Sequence, residues 1–321
     1  MIMEGKAMTN QRILLSETTG AYMDTYLLAA SDQIQIGAPR PVVLVCPGGA
    51  YLRTSDSEAE QVALHFNTLG FHAAVVRYSC GSKALWPTPM VELASAIKVF
   101  RENARQWYVR PDRIAVCGFS AGGHLCAMIS NKYAEAAQAL GVSAELVKPD
   151  AAILGYPAID MRIDFPYSDI APYLEGEVDP EHPERAVTPL YQCGLCEVNG
   201  KYMIDFKRPM LRAVFGTTQP SREQLDALSA NLLVTEDTCP SFVWNTCDDE
   251  LVLAINSIEY VEALQAHHVP CEYHMFISGP HGLSLADETV AVNDGFINPE
   301  VARWFGLCRA WLRKIDFVVK R

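Results

Sequence analysis

A serine, a pair of aspartates and a histidine, far apart in the chain, are the residue types that nucleophilic catalysis requires. Ser120 lies in Gly118-Phe119-Ser120-Ala121-Gly122, the aspartates in Cys247-Asp248-Asp249-Glu250, and His281 in Ser278-Gly279-Pro280-His281-Gly282. A serine hydroxyl is a poor nucleophile until a neighbouring imidazole takes its proton. The imidazole in turn needs a carboxylate to fix its tautomer and stabilise its charge. An attacked carbonyl becomes an oxyanion, which needs N–H donors already in place. The candidates are the N–H of Ala121, directly after the serine, and those of Gly49 and Ala50 in Pro47-Gly48-Gly49-Ala50-Tyr51.

Such a set works only if the chain brings it together, and each member follows a candidate strand. Ile114 to Cys117 is an apolar run of strand length, and Leu125, Met128 and Ile129 after the turn have helical spacing. The expectation is strand, tight turn and helix, with the Ser120 hydroxyl exposed above a sheet and a helix N-terminus behind it. Pro41 to Cys46 and Phe71 to Tyr78 read as buried strands, and Ala151 to Gly155, Ser241 to Thr246 and Cys271 to Ile277 as further strands. Between them, Ser57 to Leu69, Met90 to Trp107 and Leu253 to His267 read as helices, and a last helix spans Pro299 to Lys314. Strand and helix in alternation imply right-handed crossovers and a mostly parallel sheet, whose carboxyl-edge loops gather remote residues. Arg12 to Ser16 and Tyr22 to Ala29 are expected to form an antiparallel edge.

From about 160 to 235 the alternation breaks. Pro166, Pro172, Pro180, Pro183, Pro189, Pro209 and Pro220 interrupt it, and only Met210 to Phe215 and Arg222 to Leu228 look helical. Phe165, Tyr167, Tyr173, Tyr191, Tyr202 and Phe206 suggest that the stretch packs, so an inserted lid is expected at about 163–207. One domain over residues 1–321 with this insertion is the economical description.

Taken together, Gly-Phe-Ser-Ala-Gly-Gly-His-Leu at 118–125, preceded by Pro111-Asp112-Arg113-Ile114, resembles the esterase/lipase branch of the α/β-hydrolases. It is especially similar to bacterial acetylesterases and acetyl-xylan-esterase-like proteins. Pro47-Gly48-Gly49-Ala50-Tyr51 resembles their His-Gly-Gly-Gly or Pro-Gly-Gly-Gly-Tyr loop, with Ala50 in place of the third glycine. Asp249-Glu250-Leu251-Val252 resembles their D-x-x-V turn and Gly279-Pro280-His281-Gly282 their G-x-H-G loop. The resemblance covers about 40–160 and 235–313. It implies an α/β-hydrolase fold with a mostly parallel central sheet and helices on both faces. It also favours Asp249 over Asp248 as the acid, because Val252 stands where the family opens its next helix. The implied activity is a serine esterase that removes a short acyl group, acetyl first among them, from a carbohydrate or small alcohol. A prolyl-oligopeptidase-like peptidase and a non-catalytic binder on the same scaffold are the alternatives.

Composition narrows the partners. A formal net charge of −12 argues against nucleic acid, whose phosphates need clustered Lys and Arg. No apolar run approaches the roughly 20 residues that span a bilayer. Met1 to Gln11 shows no apolar stretch behind a basic start, so a cytoplasmic location is expected. Cys46, Cys117 and Cys247 lie in or beside apolar runs, and Cys193-Gly194-Leu195-Cys196 has no second pair at metal-site spacing, so the ten cysteines are expected to be reduced and structural. No cofactor or metal is called for, and a homo-oligomer stays open. His124, one turn into the elbow helix, is expected to pack or cap rather than react.

Overall fold

The computed structural model describes residues 9–31, 33 and 39–317. Most of the Met1 to Gln11 stretch and both ends of the 1–321 span lie outside them. Eight strands form one sheet: β1 Thr9–Leu14, β2 Tyr22–Leu27, β3 Arg40–Cys46, β4 His72–Arg77, β5 Val109–Phe119, β6 Ala151–Gly155, and two later strands, Ser241–Thr246 and Cys271–Phe276. Three short strands of the insertion intervene in the chain, β7 Ser168–Asp169, β8 Leu195–Val198 and β9 Lys201–Ile204, so the later pair are β10 and β11. The order across the large sheet is β1-β2-β4-β3-β5-β6-β10-β11. From β4 to β11 every pairing is parallel, while β1 and β2 pair antiparallel with each other and β2 with β4. The expected antiparallel edge is present.

Alternation along the strands explains why helices cover both faces. Val42, Leu44 and Cys46 point into one core and Val43 and Val45 into the other. Ala152 and Leu154 divide from Ala151 and Ile153 in the same way, as period-2 side chains must. The first core takes Leu93 and Ile97 from the helix Thr88–Glu102, Leu125 and Met128 from Ser120–Leu140, and Leu264 from Ile255–Ala266. The second takes Val62 and Phe66 from Glu60–Thr68 and Trp304 and Trp311 from Trp304–Lys314. The fold is therefore an α/β-hydrolase fold, with a mostly parallel central sheet and helices on both faces.

Three elements differ from expectation. The helix expected over Met90 to Trp107 stops at Glu102 and resumes as Ala104–Trp107, because the Asn103 amide donates to the Val99 carbonyl and terminates the first segment. The last helix is likewise two, Pro299–Ala302 and Trp304–Lys314. Cys247 is exposed, having passed the end of β10, unlike buried Cys46 and Cys117; all ten thiols are free.

The irregular stretch contains a second sheet, β7-β9-β8, and packs against the main fold. Ile170, Val187, Tyr191, Ile204 and Phe206 join the first core. Tyr173, Tyr191 and Phe206 form a ring cluster, with Tyr173 and Tyr191 centroids 4.6 Å apart. Tyr167 and Tyr202 are instead exposed. Among the described residues no helix is long and apolar enough to cross a membrane.

Candidate active site

β5 ends at Phe119 and the helix begins at Ser120, so one residue must reverse the chain. Ser120 does so with φ 51°, a left-handed conformation that a non-glycine residue adopts only when its surroundings enforce it. The neighbouring glycines make room. A Cβ on Gly118 would lie 2.1 Å from the Gly122 carbonyl oxygen, and one on Gly122 would lie 2.0 Å from that of Cys46. No side chain fits at either position without moving backbone.

The turn aims Ser120 Oγ at the loop after β11, where His281 Nε2 lies 2.8 Å away. His281 Nδ1 is 2.7 Å from Asp249 Oδ2, on the loop after β10. A carboxylate only accepts, so Nδ1 carries the proton and Nε2 presents its lone pair to the serine hydroxyl. Asp249 is itself held: its Oδ1 accepts from the N–H groups of Leu251 and Val252, both at 2.9 Å. Asp248 faces the other way, its Oδ1 accepting from Gly279 N–H and its Oδ2 from Ser278 Oγ, each at 2.8 Å. One aspartate thus meets the imidazole, and the other braces the loop that carries it.

The Ser120 hydroxyl is more covered than expected. The residue keeps 9% of its surface and Asp249 keeps 3%. Burial pulls the His281 imidazole down, but the Asp249 charge and hydrogen bond, with the Glu58 charge behind them, raise it above its ordinary value.

Three successive residues after β3, Gly49, Ala50 and Tyr51, have φ of 125°, 54° and 60°. Ala50 therefore occupies a left-handed conformation where glycine costs less. The loop is pinned from several sides: Tyr78 Oη donates to the Pro47 carbonyl at 2.6 Å, and Gly48 N–H donates to Glu58 Oε2 at 2.6 Å. Ala121, second in its helix, has an N–H with no acceptor four residues back. His124 does pack rather than react. It lies buried between the Tyr51 hydroxyl, 2.7 Å from Nδ1, and the Leu228 carbonyl, 2.8 Å from Nε2, and burial lowers it to about 4.

Two buried groups behind the site were not singled out from sequence. Glu58, just ahead of the helix Glu60–Thr68, is 3% exposed. Its Oε1 accepts from the Tyr156 hydroxyl at 2.7 Å, and that hydroxyl accepts from Ser284 N–H at 2.8 Å. The Tyr156 ring stands edge-on to His281, centroids 5.0 Å apart. An acid before a helix and a tyrosine after a strand are ordinary in sequence, so only the fold marks them.

Among the described residues no group of His, Cys, Asp or Glu is arranged to hold a metal ion. An open cavity of about 500 Å³ flanks the loop after β3, lined by Thr19, Arg53, Thr54, Asp56, Arg77 and Lys83 among others.

A serine, imidazole and carboxylate thus meet at the carboxyl edge of this sheet, an arrangement compatible with the α/β-hydrolase class. Known proteins agree with that class. The family described as BD-FAE matches residues 23–165. An acetylxylan esterase from Xylanibacter ruminicola is 25% identical over 74% of this chain and 40% of its own length. A chain named endo-1,4-beta-xylanase B, from Butyrivibrio fibrisolvens, is 26% identical over 78% of this chain and 33% of its own. The chain thus spans about a third to two-fifths of these relatives. Solved structures match end to end. A carboxylesterase from Lactobacillus plantarum has TM-score 0.73 at 25% identity, covering 98% of this chain and 100% of that one. An acetyl ester-xyloside bifunctional hydrolase from Caldicellulosiruptor lactoaceticus has TM-score 0.71 at 26% identity, with the same coverage. The chain has the α/β-hydrolase fold and resembles the bacterial esterase branch and its acetylxylan-esterase-like members.

Proposed function

We propose that the chain is a serine carboxylic-ester hydrolase that removes a short acyl group, acetyl first among them, from a carbohydrate or small alcohol. The observation that carries this reading is the continuous hydrogen-bonded chain from Ser120 Oγ through His281 to Asp249.

In this reading Ser120 Oγ attacks the ester carbonyl while His281 Nε2 takes its proton, and Asp249 stabilises the imidazolium. The oxyanion is met by the N–H groups of Gly49, Ala50 and Ala121. Collapse breaks the bond to the alcohol oxygen, which takes the proton from His281 and leaves. Water, deprotonated by His281, then attacks the acyl-enzyme, and the acid departs as Ser120 regains its proton.

Two features support a small acyl group. The Ala50 methyl narrows the oxyanion loop. The Tyr173 phenol lies close enough to Arg53, four residues past Gly49, for that guanidinium to offset part of the rise that burial gives it. That influence supports reading the insertion as a lid near the loop. The free thiols support a reducing, cytoplasmic setting.

Fluorophosphonate labelling with mass mapping tests the nucleophile, and a panel of p-nitrophenyl esters beside acetylated xylo-oligosaccharides tests the substrate. An adduct on Ser120 with turnover of acetyl esters supports the reading; no adduct and no turnover sinks it.

A further inference from the structure

Glu58 occupies a place in the fold that packing alone does not explain. A buried carboxylate costs free energy unless its oxygens are paired, and both of these are. Oε2 accepts from Gly48 N–H, the peptide just ahead of Gly49 and Ala50. Oε1 accepts from the Tyr156 hydroxyl, whose own oxygen is taken by Ser284 N–H, three residues past His281. Ser284 also reaches back, its Oγ donating to the Ser57 carbonyl at 2.7 Å. Gly48 itself is packed tightly against the nucleophile's backbone turn. A Cβ on Gly48 would lie 2.8 Å from Glu58 Oε2, from the Phe119 carbonyl and from Ser120 Cβ alike.

Resting on the esterase reading, we propose that Glu58 is a positioning residue that ties the oxyanion loop to the loop of His281 and holds both in register with Ser120. Both carboxyl oxygens accept, and the tyrosine supplies its own proton, so the pattern favours the ionised form. Burial leaves this carboxyl raised above its ordinary value, and the Tyr156 and Gly48 hydrogen bonds, then His281 and Arg53, offset only part of that rise. The groups acting on His281 are Asp249, Glu58, the Ser120 hydroxyl and the Tyr156 ring. Glu58 therefore acts on the imidazole through charge, and on the oxyanion donors through the peptide of Gly48.

The test is Glu58→Gln, with p-nitrophenyl acetate kinetics and the His281 imidazole titration followed by NMR. An amide has one acceptor oxygen, so it cannot serve both Gly48 and Tyr156, and it carries no charge. Losing one well-placed oxyanion donor costs on the order of a hundredfold. A fall in kcat of about tenfold or more is accordingly expected, with KM changed by less than about threefold and a lower imidazole midpoint. A purely structural role would lower the melting temperature and leave kcat and the midpoint alone; kcat within about twofold of wild type at an unmoved midpoint overturns the proposal. Tyr156→Phe keeps the Glu58 charge and carries the test if Glu58→Gln fails to fold. It is expected to lower kcat several-fold without lowering the midpoint, and unchanged kcat overturns the proposal. Wild type run alongside separates the two readings. No hydrolysis and no phosphonate adduct in wild type sinks the esterase reading and this proposal with it, whereas an active wild type with unaffected variants sinks this proposal alone.

Discussion

Asp249 Oδ2 lies 2.7 Å from His281 Nδ1, while the adjacent Asp248 bonds Gly279 and Ser278 on the same loop. Two neighbouring acids therefore do different work. Asp249→Asn should leave the serine in place but lose the carboxylate that sets the imidazole tautomer. The expected cost is roughly ten-thousandfold in kcat. Asp248→Asn should cost far less in kcat and show mainly as a lower melting temperature. The Ser278 and Gly279 bonds hold the Asp248 carboxyl below its ordinary range, so its stabilising effect is present above the unfolded pKa and fades as pH falls through the folded one. Kinetics and thermal melts of both variants decide the ranking; the reverse order would transfer the triad role to Asp248.

The His281 shift fixes the sign of a pH profile. Its imidazole must be neutral to take the serine proton, and its pKa is raised above 6.5 by Asp249 and Glu58 against the pull of burial. Activity should therefore fall as pH drops through a midpoint above 6.5, and Asp249→Asn should move what remains of that limb downward. Stability runs the other way. A raised folded-state pKa contributes stability that is complete below the unfolded value and lost as pH rises through the folded one. An acid limb of kcat/KM lying below the ordinary imidazole value would contradict the raised His281 pKa.

Much of this arrangement is legible in sequence because it depends on local patterns. Pro41 to Cys46 and Ala151 to Gly155 are apolar without interruption, as strands buried on both faces must be. Each of Ser120, Asp249 and His281 follows such a strand or a half-buried one. What stayed hidden is set by partners remote in the chain. Glu58 matters through Gly48, Tyr156 and Ser284, and nothing near it in sequence announces any of them. β7, β8 and β9 are two to four residues long, too short to show an alternation. The break at Asn103 has no glycine or proline, only a side chain that bonds its own helix.

The elbow glycines give a stability prediction. Gly122→Ala places a Cβ against the Cys46 carbonyl of the neighbouring strand, in backbone that has no slack. It should destabilise by about 3 kcal/mol or more, at the upper end of overpacking costs, and abolish activity. Gly141→Ala is the control for left-handed strain without crowding, since a Cβ there meets nothing within 4 Å at φ 67°. Denaturant melts should rank Gly122→Ala well below Gly141→Ala; equal losses would mean that the close approach of elbow and β3 is not what the glycine serves.

If the insertion acts as a lid, chain length should matter. Turnover of p-nitrophenyl acetate should exceed that of the octanoate by about tenfold or more, since a closed pocket rejects added methylenes. Tyr173→Ala, which opens the ring cluster of Tyr173, Tyr191 and Phe206, should narrow that gap. Equal turnover of the two esters by the intact protein would count against a lid.

Ser120 is the residue on which the proposed chemistry most directly depends. Its substitution by alanine keeps the left-handed turn, already held by the fold around φ 51°, and removes only the hydroxyl that meets His281. The measurement is kcat for p-nitrophenyl acetate with Ser120→Ala, beside a thermal melt that confirms folding. The expected result is a loss on the order of a millionfold with little change in melting temperature. A folded variant keeping more than about a hundredth of wild-type turnover would remove Ser120 from the mechanism.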